Sequence, residues 1–156
     1  MHSSSHFSGA HGTARAHPAL ASIAWRDFER LIGEEFRRRG FTVTGFGGGY
    51  RGGPGGGADL ALMKNGQRFL VECKHWRKQQ VGVTVVLELC LAIQAARASG
   101  GYLLTGGEFT RETRELARSA RIELIDGQSI VDWLRSPKSA AAAPAPRARQ
   151  ELAPIS

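Results

Sequence analysis

The dipeptide Asn65-Gly66 constrains the fold of this chain more than any other short stretch. It is a strong signal for a two-residue hairpin, because both central positions of that turn need positive φ angles. Apolar runs flank it on both sides, Asp59-Leu-Ala-Leu-Met63 before it and Arg68-Phe-Leu-Val-Glu-Cys-Lys74 after it. We therefore predict two antiparallel strands that turn at Asn65-Gly66.

The second strand of this hairpin has two chemically different faces, because side chains alternate across a strand. One face is uniformly apolar and is predicted to face the core; it comprises Phe69, Val71 and Cys73. The other face carries Leu70, Glu72 and Lys74. Two opposite charges therefore lie two residues apart at the end of an apolar strand.

Asp59 is predicted to lie beside Glu72 across the hairpin. It precedes Gly66 by seven positions, and Glu72 follows Asn65 by seven. Two carboxylates with an ammonium suit phosphodiester hydrolysis, since Mg²⁺ is bound by one or two carboxylates plus water and phosphate oxygens. The metal would lower the pKa of bound water, and Lys74 would orient that water and stabilise charge on the phosphate. The alternative is a surface ion pair between Glu72 and Lys74, worth at most about 1 kcal/mol.

The remaining pattern predicts an α/β domain with a central mixed sheet and helices on both faces. A first helix at 23–39 carries apolar residues at helical spacing and ends at Gly40, and a strand at 41–44 follows. Residues 82–98 are apolar nearly all round and predict a buried helix. The last predicted elements are a strand at 101–105, a helix at 110–120, a strand at 122–125 and a helix at 128–135.

Composition separates three zones. Residues 1–21 lack periodicity and are predicted to be disordered, residues 22–136 form the domain, and the Ala/Pro-rich segment 137–156 is a flexible tail. No apolar run approaches the roughly 20 residues that span a bilayer, and the N-terminus has no secretory signal. The two cysteines, Cys73 and Cys90, lie in apolar segments and indicate a cytoplasmic protein with reduced thiols.

The formal net charge of +7 and the pI of about 10.2 favour a polyanionic partner, either nucleic acid or an anionic surface. Arg68, Arg77 and Lys78 lie close in sequence to the acidic pair and are candidate phosphate contacts. The glycine-dense loop Gly45–Gly57 adds Tyr50 and Arg51 as candidate DNA contacts. This loop lacks the terminal Gly-Lys-Ser/Thr of a P-loop and leads into a strand, so no nucleotide cofactor is expected.

At this point the sequence resembles a known family. The run GGGADLALMKNGQRFLVECKHW is similar to the D-x(n)-(E/Q)xK signature of the PD-(D/E)XK nucleases. The segments WRDFERLIGEEFRRRGFTV, VGVTVV, LLTGGEFTRETRELA and IELIDG resemble, in that order, parts of the Mrr-like restriction endonuclease domain. The resemblance covers residues 23–135 and implies a single restriction-endonuclease-like domain.

The resemblance also implies roles for particular residues. Asp59 and Glu72 would be metal ligands, Lys74 would orient the attacking water, and Glu29 matches a first-helix glutamate that assists at the metal. The expected cofactor is Mg²⁺, with Mn²⁺ as a substitute, and the expected partner is DNA, in restriction or defence. A homodimer is compatible with this function.

Two alternatives stay open: an inactive DNA-binding module of the same fold, and a nuclease for repair or junction resolution. The roles of Glu88, nearly the only charge in its predicted helix, and of His75 also stay undecided. The target sequence is not encoded in any motif.

Overall fold

The structure, a computed structural model, describes residues 17–44, 58–74 and 80–135. The helices are α1 (Pro18–Ala21), α2 (Trp25–Arg38), α3 (Val83–Ala95), α4 (Arg111–Ser119) and α5 (Gly127–Arg135). The strands are β1 (Thr42–Val43), β2 (Leu60–Lys64), β3 (Gln67–Cys73), β4 (Gln80–Val81), β5 (Gly100–Leu104), β6 (Glu108–Phe109) and β7 (Ile122–Ile125).

Five of these strands form a mixed sheet in the order β1-β2-β3-β5-β7. The pairs β1–β2 and β2–β3 are antiparallel, whereas β3–β5 and β5–β7 are parallel. Strands β4 and β6 form a separate two-stranded parallel ladder, which the sequence pattern did not predict. The predicted mixed sheet, with the hairpin first and crossover-linked strands afterwards, is confirmed.

The hairpin turns where Asn65-Gly66 predicted. Asn65 has φ of 50° and Gly66 has φ of 74°, the left-handed values that this turn requires. Lys64 pairs with Gln67 across it, and the ladder continues to Leu60 opposite Val71. Because the register is fixed from the turn, every facing pair along the two strands follows from it.

Helices cover both faces of the sheet. One face packs against α1, α2 and α5 and is dominated by aromatic rings; its members include Phe28, Phe36, Phe41, Phe69, Tyr102 and, at its margin, Trp133. The opposite face packs against α3 and α4 and is mainly aliphatic; its members include Ala61, Leu70, Val86, Leu89 and Leu103. Strand β3 therefore has a core on both sides, not only on the side that carries Phe69, Val71 and Cys73.

Helix α1 lies before the predicted domain boundary at residue 22. Leu20, in helix α1, is only 1% exposed and belongs to the aromatic core. The backbone N–H of His17 donates to the carbonyl of Gly106 at 2.7 Å, which ties this segment to the loop after β5. Residues 17–21 therefore contribute to the core, although they lack a periodic pattern of their own.

The prediction of a buried helix at 82–98 was wrong for α3. Val83, Leu87 and Leu91 are 36%, 51% and 63% exposed, and they recur every four residues along the outward face. The helix is the outermost layer over the sheet, so only its inward side is covered, by Val86, Leu89 and Ala92. A helix whose faces are all apolar is therefore buried here on one face only.

Several predictions lie outside the described residues: the glycine loop with Tyr50 and Arg51, the segment with His75, Arg77 and Lys78, and the C-terminal tail. In the described ranges, no helix has both the length and the apolar character needed to cross a membrane. Cys73 is buried and Cys90 is half-buried, and both are free thiols.

Candidate active site

The acidic pair lies at one end of the strands of the hairpin, where β2 begins and β3 ends. The backbone N–H of Asp59 donates to the carbonyl of Val71 at 2.8 Å. The ladder ends at Leu60 opposite Val71, and Asp59 lies one residue before β2. Asp59 is close enough to Glu72 for its charge to act on that carboxylate, but the direct cross-strand pairing predicted from the turn is not part of this ladder.

Lys74 follows β3 directly and is anchored by the neighbouring parallel strand. Its backbone N–H donates to the carbonyl of Leu104, the last residue of β5, at 2.9 Å. Its Nζ lies 3.3 Å from Oε1 of Glu72, and its side chain is 30% exposed. The ammonium therefore contacts the acidic pair while remaining accessible from solvent.

Asp59 is held by its own hairpin. Its Oδ2 accepts a hydrogen bond of 2.6 Å from the backbone N–H of Cys73. Burial raises the pKa of Asp59 to about 6, and the negative charge of Glu29 adds to this rise. The Cys73 N–H and the charge of Lys74 act in the opposite direction but do not offset the burial.

Glu72 is the more deeply buried carboxylate, only 4% exposed. Burial raises its pKa to about 7, against the lowering effect of Lys74. The charges of Asp59 and Glu88 raise it further. The site therefore contains more negative charge than its single described ammonium neutralises.

Glu29 joins the site from the other side of the sheet. It lies in the second turn of α2, is 8% exposed, and its charge acts on both Asp59 and Cys73. Arg30, the next residue along α2, pairs with Glu34 at 3.0 Å and with Asp27 at 4.0 Å. The burial of the Cys73 thiol, together with the charges of Asp59, Glu29 and Glu72, raises its pKa well above the ordinary value.

The donor set fits a hard divalent cation held partly by water. Within residues 17–44, 58–74 and 80–135, no three His, Cys, Asp or Glu side chains converge as a metal cluster. Mg²⁺ does not need one, because it is commonly bound by one or two carboxylates and keeps several waters. Asp59 and Glu72 supply two carboxylates whose pKa values are raised mainly by burial, and a bound cation would favour their charged forms.

The comparison with family models decides which family this arrangement belongs to. Residues 20–134 match the model of the Mrr catalytic domain, described as a restriction endonuclease. The chain belongs to the Mrr restriction endonuclease family. The match to this Mrr domain includes every element that holds Glu29, Asp59, Glu72 and Lys74, and it begins within α1, before the boundary that periodicity predicted.

One relative with a curated sequence is also similar to this chain. The uncharacterized protein y4cE of Sinorhizobium fredii (strain NBRC 101917 / NGR234) is 31% identical over 131 residues. The alignment covers 79% of this chain but 32% of the relative. The Mrr chain therefore spans about a third of the length of the curated relative that it matches.

Solved structures show the fold of this Mrr domain. The protein of unknown function AF1548 superposes with a TM-score of 0.59 at 17% identity, over 70% of this chain and 64% of that one. The MspJI restriction endonuclease, solved with a 27-mer oligonucleotide, matches with a TM-score of 0.42 at 20% identity, over 74% of this chain and 27% of that one. The likeness to AF1548 is one of fold alone, and the MspJI score is too low to support an argument.

Arg68 is not part of this site, although it is close in sequence. It occupies the beginning of β3, four residues from Glu72, which corresponds to about 13 Å along a strand. Its guanidinium donates to the carbonyl of Ala96 at 3.1 Å, just after α3. The direction of β3 separates Arg68 from the end of the strand that carries Glu72. Proximity in sequence could not show this separation.

Glu88 is the residue near the site whose role the sequence left open. It is half-buried on α3, and its charge acts on Glu72. The signal in the sequence was a lone acidic residue in the apolar run Val83–Ala95. The sequence therefore singled out Glu88 as unusual, but it did not show that the charge of Glu88 acts on Glu72.

Proposed function

We propose that this Mrr domain is a Mg²⁺-dependent DNA endonuclease that hydrolyses phosphodiester bonds, with Mn²⁺ as a substitute metal. The observation that carries the proposal is the convergence of Asp59, Glu72 and Lys74 at the end of the hairpin where β2 begins and β3 ends. The family supports a nuclease activity. Two neighbouring carboxylates with a single ammonium support the binding of a metal ion. The proposed setting is DNA restriction or defence, as the family name suggests.

Asp59 and Glu72 would hold the metal ion, which when bound supplies a polarised phosphoryl group and a water of lowered pKa. The Cys73 N–H keeps the Asp59 carboxylate in place, so that one oxygen is committed to the backbone. Glu72 is fixed by burial and by its pair with Lys74. Such a preorganised site costs little reorganisation when the substrate arrives.

Lys74 acts on the reacting phosphate in this mechanism. Its partly exposed ammonium donates hydrogen bonds to the attacking water and to a phosphate oxygen, which stabilises the charge that develops there. Water attacks phosphorus and gives up a proton to solvent, the P–O bond to the leaving sugar oxygen breaks, and that oxygen takes up a proton from solvent. The net charge of +7 supplies sequence-independent attraction to the DNA backbone.

A homodimer is the arrangement we propose for cleavage of both strands, because one site hydrolyses one strand at a time. Sedimentation velocity of the protein with and without duplex DNA tests this point separately. A monomer that nicks one strand would remove the homodimer from the proposal and leave the nuclease in place.

Plasmid nicking tests the proposed activity. Wild-type protein with Mg²⁺ or Mn²⁺ should nick supercoiled plasmid, whereas EDTA should abolish nicking. Lys74→Ala should lower the single-turnover rate by at least about 100-fold, the usual cost of removing one preorganised donor to the reacting group. Lys64→Ala is the matched control, because Lys64 is at the far end of β2 and donates to the carbonyl of Arg39.

The outcome separates the proposal from its two rivals. Binding of methylated and unmethylated plasmid without any nicking would favour an inactive DNA-binding module. Cleavage of a four-way junction far faster than of linear duplex would favour junction resolution.

A further inference from the structure

The exposed apolar side chains of the domain are concentrated on helix α3. In the part of the chain that the structure describes, the large apolar side chains that are exposed are Val83, Leu87 and Leu91, at 36%, 51% and 63%. Single exposed apolar side chains are ordinary on a protein surface, whereas a contiguous group of them marks a surface that binds a partner. These three residues are called the α3 stripe below.

The α3 stripe lies on a face without charge. The other exposed residues of the helix are Thr84, Gln94 and Ala95, and the only charged residue of Val83–Ala95 is Glu88, which is half-buried. A DNA backbone is bound by cations, and an anionic membrane favours Lys or Arg beside an apolar helix face. The chemistry of the stripe therefore fits a second apolar protein surface.

The spacing of the α3 stripe is symmetric about Leu87. Val83 precedes Leu87 by four residues, and Leu91 follows it by four. A two-fold axis through Leu87 that pairs two antiparallel α3 helices sets Val83 of each copy against Leu91 of the other and Leu87 against itself. Such a self-complementary patch is what a two-fold homodimer requires.

Helix α4 borders the α3 stripe with charged side chains. It contacts α3 on the same face of the sheet. Its exposed charged residues are of both signs: Arg111, Glu112, Arg114, Glu115 and Arg118. Specific protein interfaces have an apolar centre and a polar rim. The stripe and α4 together have this arrangement.

The size of this surface predicts a weak dimer. The 13 residues of α3 form a strip about 20 Å long and about 10 Å wide, which is on the order of 200 Å² in projection. A stable interface buries about 800 Å² on each partner. Two copies that bind one DNA duplex gain effective concentration, so DNA should strengthen the association.

We propose that the α3 stripe is the surface through which two copies of this chain form a two-fold dimer, with antiparallel α3 helices and Leu87 on the axis. The inference rests on the proposed function, because it names the surface of the homodimer that cleavage of both strands needs. The inward side of α3 packs tightly on the sheet, since a Cβ at Gly101 would meet Cδ1 of Ile93 at 3.0 Å. A dimer through α3 therefore holds the two sheets, and their acidic pairs, in a fixed relation.

Leu87 provides the first test, because it faces itself across the axis. We expect wild type to dimerise with a dissociation constant on the order of 100 μM, measured by sedimentation velocity without DNA from about 10 μM to about 1 mM. Leu87→Glu and Leu87→Lys each set two like charges against each other and should raise this constant at least about 100-fold. An equimolar mixture of the two variants sets opposite charges together and should restore the dimer, which a folding defect would not.

The second test addresses the direction of the helices. Val83→Glu alone and Leu91→Lys alone should weaken the dimer, because each buries a charge against an apolar side chain. The double variant Val83→Glu/Leu91→Lys should recover it, since the two new charges then meet across the axis. The matched control is Gln67→Glu, an exposed position of the hairpin with the same change of charge as Leu87→Glu, and it should dimerise like wild type.

Plasmid cleavage with Mg²⁺ separates this inference from the proposed function. Wild type should linearise plasmid, Leu87→Glu and Leu87→Lys should each only nick it, and their mixture should linearise it again. A wild type that stays monomeric, Leu87 variants that dimerise like wild type, or a mixture that does not recover overturns the α3 dimer and leaves the nuclease in place. Dimers that follow these pairings without any DNA cleavage overturn the nuclease and keep the α3 dimer.

Discussion

Two glutamates of this domain are buried to the same degree but differ in the positive charge that surrounds them. Glu35 is 3% exposed and Glu72 is 4% exposed. Glu35 accepts a bond of 3.0 Å from Nε of Arg39 and also pairs with Arg38, and the Arg39 guanidinium lies 4.2 Å from the centre of the Trp133 ring. Glu72 has the single ammonium of Lys74.

The surroundings widen this contrast. Glu35 is fixed at the end of α2 by two guanidinium groups, one of which is itself buried. Glu72 has the negative charges of Asp59 and Glu88 nearby. A buried carboxylate that two guanidinium groups neutralise holds the fold together, whereas one left short of positive charge has a site for an added cation. Burial alone therefore does not separate a structural acid from a functional one.

The largest expected difference between the two glutamates is in activity. Glu72→Gln should lower the single-turnover nicking rate by about 1,000-fold, because it removes a proposed metal ligand and a preorganised charge. Glu35→Gln should change the rate of the folded fraction by less than about 3-fold, since it touches neither the metal nor Lys74. Rates measured at equal folded concentration check this; equal losses in the two variants would contradict the contrast.

The next difference is in stability and has the opposite order. Glu35→Gln should lower the free energy of unfolding by about 3 kcal/mol, because it leaves the buried Arg39 without its carboxylate. Glu72→Gln should be neutral or stabilising at pH 8 without metal, since it removes an undercompensated charge. Urea unfolding in EDTA measures both. A loss of more than about 2 kcal/mol in Glu72→Gln would show that its pair with Lys74 is structural.

The smallest expected effect is a pH dependence of stability without metal. Asp59 and Glu72 have folded-state pKa values of about 6 and about 7, above their ordinary values of 3.8 and 4.5. The folded state therefore holds more protons, so their contribution is fully present below about pH 4 and is lost as pH rises to about 7. The loss should be on the order of 2 kcal/mol between pH 5 and pH 8.

This pH effect is measured by urea unfolding in EDTA across pH 5–8. It should shrink in Asp59→Asn/Glu72→Gln and should persist in Glu35→Gln. Saturating Mg²⁺ at pH 8 should restore stability, by about 2.7 kcal/mol at 100 times the dissociation constant. An identical slope in the double variant would assign the pH dependence to other groups.

Much of the site could be predicted from local sequence. The positive φ values of Asn65-Gly66 fix the register of the hairpin, and that register brings Asp59, one residue before β2, to the end of β3 that carries Glu72. Alternation along β3 correctly put Glu72 and Cys73 on opposite faces. These predictions succeeded because each depends on residues that are close in sequence and on backbone geometry.

Other features depend on distant parts of the chain and were not predictable in this way. Arg68 is close to Glu72 in sequence, but the direction of β3 places its guanidinium at the carbonyl of Ala96, and its contact with DNA stays a prediction. Helix α3 was predicted to be buried, yet Leu91 is 63% exposed. Both depend on which elements pack together, and local periodicity does not contain that information.

The sequence by itself determined the hairpin, its register and the closeness of Asp59 to Glu72, because a two-residue turn leaves no freedom in the pairing of the two strands. Only the tertiary structure decided how much charge surrounds that pair. The backbone of Lys74 is held by a hydrogen bond to Leu104 at the end of β5. Glu29 is contributed by α2 and Glu88 by α3. The balance of charge is a sum over elements far apart in the chain, so it exists only once they are packed.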